Sequence, residues 1–210
     1  MIFNGLMKPF RAVVVPIIIL MNVAVFFMWM GGGARHQEFM IDNFLVSYTG
    51  LMEGRYWTLL TSVFSHNMLL HIGINMFVLN SFGSLLEQVL GRWRFLAFYL
   101  VAGVVSSISH CLLSQYVMHS PDTAALGASG SIAGLVLVFS LVFPKEKILL
   151  MGFIPLPAIW GALAFVALDL WGLSAQAHGG GLPIGHGAHL GGAFAGVVYY
   201  FGFLRRRIRR

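Results

Sequence analysis

The chain has 210 residues, of which 58% are hydrophobic and only 10% charged, with a mean hydropathy of +0.83. That composition excludes an ordinary soluble domain and leaves a polytopic membrane protein as the class. The formal charge of +6 does not mark a nucleic-acid binder, because the basic residues flank apolar runs instead of covering a polar face.

In chain order, residues 1–11 form a short amphipathic start with Lys8 and Arg11. Residues 13–30 are the first apolar span, with Pro16 near its beginning. No small-residue cleavage site follows, so it reads as a retained span and not a signal peptide. Residues 31–65 open on three glycines and mix Arg35, Glu38, Asp42, Glu53 and Arg55 with Phe, Leu, Tyr and Trp. That stretch is too polar to span and too aromatic for a plain linker, which predicts an interfacial loop with short helices. The second span is expected over 67–90, carrying His71, Asn75, Asn80 and Glu87, and the third over 95–113. A polar loop with Pro121 and Asp122 leads to the fourth, 127–143, which Pro144-Lys145-Glu146-Lys147 stops. Residues 148–154 are apolar but Pro155 and Pro157 interrupt them, so the fifth span is placed at 158–173. After the Gly-rich, uncharged stretch 175–185 comes the sixth, 186–204, ended by an arginine-rich tail. Cys111, the one cysteine, lies inside an apolar run, so neither a disulfide nor a thiolate metal cluster is expected.

The fold class is therefore an all-α polytopic membrane protein, one domain over 1–210, with six transmembrane helices. Six spans put both termini on one side. Lys8, Arg11, Arg92, Arg94, Lys145, Lys147 and the arginines after Leu204 fall on that side, and only Arg35 and Arg55 on the other. The positive-inside rule makes the termini cytoplasmic.

This topology brings separate polar residues to one depth. The second, fourth and sixth spans all enter from outside. Ser129, in Gly127-Ala128-Ser129-Gly130, then lies in the first turn of the fourth span, and His189 in the first turn of the sixth. His71 and Asn75, four residues apart, share one face of the second. Ionisable groups at this level of a bilayer are costly and mark a functional site. Gly130-x3-Gly134 and Gly192-x3-Gly196 offer small-residue seams along which the fourth and sixth helices approach closely. A serine needs a base to become a nucleophile, and neutral imidazole is the group that accepts a proton near neutral pH. The chemistry expected is acyl transfer, with Ser129 as nucleophile and His189 as base. The backbone N–H of Ser129 with His71 and Asn75 would hold the oxyanion.

These residues resemble the rhomboid family of intramembrane serine proteases. The match rests on Gly127-Ala128-Ser129-Gly130, His189 within Ala188-His189-Leu190-Gly191-Gly192, and His66-x4-His71-x3-Asn75. Gly83-x3-Glu87-x3-Gly91 and Gly54-Arg55-Tyr56-Trp57 match as well. The resemblance implies a Ser129–His189 dyad without a third acid, and an oxyanion hole of Ser129, His71 and Asn75. It implies an endopeptidase, without cofactor or metal, that cleaves single-span substrates in or near their transmembrane segment. The setting it implies is a bacterial inner membrane, with the site toward the extracytoplasmic side. Two positions depart from the pattern. Thr58 stands where the family often has Arg after the loop Trp, and Ala133 where it often has a ring that stacks on the catalytic histidine.

The remaining polar residues read as structural. His66 braces the interfacial loop, and His178 and His186 are loop histidines. Asp169, near the outer end of the fifth span, invites a triad reading in which it orients His189, but the resemblance implies no third acid, so it reads as structural. Glu87 ties a helix end to Arg92 or Arg94. The 175–185 stretch reads as a mobile cap over the site, and the weakly anchored fifth span as a lateral gate.

Overall fold

A computed structural model of the chain describes residues 11–150 and 154–208. Six apolar helices make up the body: α1 (Val14–Trp29), α5 (Leu69–Leu90), α6 (Arg92–Tyr116), α7 (Ser129–Val142), α8 (Ala158–Ala177) and α9 (His186–Ile208). Between α1 and α5 lie three short α-helices, α2 (Ala34–Phe44), α3 (Tyr48–Met52) and α4 (Thr58–Thr61), and a 3-10 turn, Ser62–Phe64. They fill the stretch in which short helices are expected. Arg55 pairs with both Asp42 and Glu53. Val46 and Ala125 exchange backbone hydrogen bonds, tying the loop to the segment that leads into α7.

Of the six expected spans, four are long and apolar enough to cross a bilayer: α5, α6, α8 and α9. The other two are apolar but shorter, α1 with 16 residues and α7 with 14. For α7 the reason is packing. Residues 130–135 and 137–140 are all buried, so its neighbours are protein and its length is not set by lipid. The exterior is apolar instead: Leu69, Leu70 and Phe77 on α5 and Trp160, Leu168 and Trp171 on α8 are exposed, while Ser106, Ser107, His110, Ser131 and Asp169 are buried. Polar inside and apolar outside is the arrangement a hydrocarbon solvent imposes.

The all-helical expectation needs one correction. Strand β1 (Lys147–Leu150) pairs antiparallel with β2 (Ile154–Pro157), in the register Lys147 to Pro157 and Ile148 to Leu156. Pro155 and Pro157 have no N–H to donate to a helix, and in a two-stranded hairpin every strand is an edge that tolerates them.

Glu87 is corrected as well. It is fully buried, and its carboxylate accepts the backbone N–H groups of Val13, Val14 and Val15 at 2.8, 3.1 and 3.0 Å. The first N–H groups of a helix lack intrahelical partners and carry the positive end of its dipole, so a carboxylate there caps α1.

The centre of the bundle is α9 packed against α6 and α7. Its sequence is cleared of side chains where the backbones meet. A β-carbon on Gly196 would stand 2.6 Å from the Gly134 carbonyl oxygen, and one on Gly130 would stand 1.7 Å from Ser106 Oγ. The two glycine seams therefore face each other, as the sequence predicts.

Candidate active site

The turn before α7 is built by Gly127, whose φ of +121° is open to glycine and strained for other residues. Its N–H donates to Ser62 O at 2.9 Å, and the next N–H, of Ala128, donates to His66 Nε2 at 3.4 Å. His66 is fully buried, and burial, with the neighbouring His71 as the lesser cause, lowers its pKa from 6.5 to about 3. A neutral imidazole that accepts at Nε2 is what the loop needs, so His66 braces the turn that presents the serine.

Ser129 opens α7, and His189 lies in the first turn of α9. Ser129 Oγ and His189 Nε2 are 2.9 Å apart. The glycine seam makes that distance possible, because residues 60 positions apart meet only if the two backbones nearly touch. His189 Nδ1 lies 3.0 Å from Asp169 Oδ1, and His186 Nδ1 lies 2.7 Å from the same oxygen. A carboxylate oxygen accepts, so both Nδ1 atoms carry hydrogen. That leaves His189 Nε2 with the lone pair that accepts the Ser129 Oγ–H.

Asp169, read from the sequence as structural, is bonded to His189, and His186 is not a loop histidine: it starts α9 and is buried against α8. His178 does stand apart, its Nδ1 bonded to Ser174 O at 2.7 Å. Asp169, His186 and His189 place three ligand-type atoms within 4.8 Å of one another. Two N–H···O bonds of ordinary length account for those atoms without a cation, and His189 also holds Ser129.

A cavity of about 740 Å³ opens beside the pair, lined by His71 and Asn75 of α5, Ser129, His189, Phe165 of α8 and Ile148 of the hairpin. All four residues singled out in the sequence thus border one space. Asn75 Nδ2 donates one hydrogen to His71 O at 2.8 Å, which leaves its second for the cavity. The ring missing at Ala133 is replaced from another helix. Phe165 packs on His189 with centroids 5.4 Å apart and planes tilted 31°. At the other departure, Thr58 is buried and its hydroxyl donates to Arg55 O at 2.6 Å. Above the cavity, the amide of Gln176 donates to Leu182 O and Ile184 O at 2.7 and 2.8 Å, holding the Gly-rich connection folded over.

The fold and this site together define an integral membrane protein with a serine–imidazole pair among its apolar helices. A family model described as the Rhomboid domain matches residues 53–206, and the chain belongs to the rhomboid family. It is 36% identical over 186 residues to Rhomboid protein 1, mitochondrial, of Saccharomyces cerevisiae, covering 85% of this chain and 49% of that protein. To Presenilin-associated rhomboid-like protein A, mitochondrial, of Danio rerio it is 37% identical over 168 residues, covering 76% and 41%. To RHOMBOID-like protein 12, mitochondrial, of Arabidopsis thaliana it is 29% identical over 204 residues, covering 91% and 59%. The chain spans about half the length of the curated relatives it matches.

Proposed function

We propose that the chain is an intramembrane serine endopeptidase that hydrolyses peptide bonds in or near the transmembrane segment of single-span membrane proteins. The observation that carries this reading is the 2.9 Å contact between Ser129 Oγ and His189 Nε2 beside a cavity. Ser129 Oγ attacks the scissile carbonyl carbon as its proton passes to His189 Nε2. The oxyanion meets the Ser129 backbone N–H, the free amide hydrogen of Asn75 and the His71 ring. On collapse the C–N bond breaks, and the amine leaves with the proton from Nε2. Water then attacks the Ser129 ester, giving a proton to Nε2, and Ser129 Oγ recovers it as the acid product departs.

Six membrane crossings with both termini cytoplasmic place this chemistry near the extracytoplasmic face, where water reaches the ester. We place the protein in a bacterial inner membrane, the setting that the resemblance of its six-span form implies. The mitochondrial names of its relatives favour a mitochondrial membrane as the second reading, and cell fractionation separates the two. A substrate helix enters beside α8 and the hairpin, under the connection that Gln176 holds.

The test is reaction of the detergent-solubilised protein with a fluorophosphonate probe. Wild type labels, and Ser129→Ala and His189→Ala do not. A folded wild type that fails to label, or labelling that survives Ser129→Ala, overturns the reading in favour of a silent family member that binds membrane clients.

A further inference from the structure

The catalytic pair uses Ser129 and His189, yet the hydrogen bonds continue beyond it. Asp169 is 4% exposed and its Oδ1 accepts from two imidazoles, His189 at 3.0 Å and His186 at 2.7 Å. Its Oδ2 is buried without a hydrogen-bond partner among the described residues. An acid in this position is expensive unless donors surround its charge. The two histidines are three residues apart on α9, so one helix face delivers both to the same oxygen.

A second feature shows that α8 is shaped for this contact. Gly172 lies one turn beyond Asp169, and a β-carbon there would stand 2.3 Å from His186 Nε2. The ring of His186 thus occupies the space that any larger residue at 172 would fill. Glycine at 172 clears the path by which His186 reaches Asp169.

We infer that Asp169 is a positioning residue that completes a Ser–His–Asp triad with Ser129 and His189, with His186 holding the carboxylate in place. This rests on the proteolytic reading above. Accepting from His189 Nδ1–H, Asp169 fixes the tautomer whose Nε2 faces Ser129. When Nε2 takes the serine proton, the imidazolium keeps its Nδ1–H on Oδ1 and Asp169 stays ionised. The proton leaves by Nε2 to the departing amine, so the carboxylate transfers nothing and stabilises the charge at both proton transfers. His186 supplies the second N–H that stops the carboxylate from rotating away. Serine, acid and histidine come from α7, α8 and α9 in that chain order.

The test uses the full chain in detergent and the fluorophosphonate probe, separating the maximal inactivation rate from the half-saturating probe concentration. Both are measured on the monodisperse, folded fraction. Asp169→Asn, nearly isosteric, is expected to lower the maximal rate by about 10²- to 10⁴-fold with the half-saturating concentration unchanged. Asp169→Glu restores part of the rate. Gly172→Ala, which removes no polar group, lowers the rate by displacing His186, and His186→Ala does so less than Asp169→Asn. A folded Asp169→Asn or Gly172→Ala protein with a maximal rate within threefold of wild type overturns the inference and leaves the protease reading standing. A folded wild type that does not label overturns both.

Discussion

A β-carbon on Gly192 would stand 1.8 Å from the carbonyl oxygen of Gly130, so α9 and α7 touch backbone to backbone where Ser129 and His189 meet. No side chain separates the helices, and neither helix can shift without moving Ser129 or His189.

Gly192→Ala is therefore expected to lower the thermal midpoint in detergent, at an overpacking cost of about 1–3 kcal/mol, and to abolish serine labelling. Gly202→Ala lies on the same helix with nothing within 4 Å of its added carbon, and should leave both unchanged. Equal behaviour of the two variants would show that the close approach is not what holds the site.

Phe165 packs its ring on His189, 5.4 Å between centroids with planes tilted 31°, and restricts the imidazole that its two nitrogens hold by hydrogen bonds. Such ring pairs contribute about 0.5–1.5 kcal/mol beyond their burial. Phe165→Ala should slow fluorophosphonate labelling about 2- to 12-fold, the rate equivalent of that energy, and Phe165→Tyr should keep most of the wild-type rate. A Phe165→Ala protein labelled at the wild-type rate would refute the bracing role.

His66 makes stability depend on pH in a direction its burial sets. The folded pKa of about 3 lies below the ordinary 6.5. Above 6.5 both the folded and unfolded chains carry neutral His66, and nothing is lost. As the pH falls from 6.5 toward 3 the unfolded chain binds a proton that the folded chain excludes. Stability then declines by up to about 1.4 kcal/mol per pH unit. Denaturation midpoints measured between pH 7 and 4.5 should fall more steeply for wild type than for His66→Gln, by the slope of one proton. Parallel slopes would exclude His66 as the group responsible.

The sequence alone determined the class, the helices and the four residues that border the cavity. Hydropathy is a local property, so the apolar runs appear as helices with ends within a few residues of expectation, and the serine and histidine fall where two of them begin. Ser129, His189, His71 and Asn75 were legible because periodicity and topology place residues along a membrane normal. What neither supplies is rotation about that normal. Asp169 was visible in the fifth span, yet whether it faced lipid or His189 depended on how α8 rolls against α9. Gly172 and the His186 ring decide that roll. The ring on His189 was sought at Ala133 on α7 and came from Phe165 on another helix, because packing selects side chains by position in space. Glu87 was assigned to an arginine near in sequence, whereas its three donors lie more than seventy residues away at the start of α1. The hairpin after α7 had only its prolines as a local signal. Local pattern fixes what lies along each helix, and only the packed tertiary structure sets which faces meet.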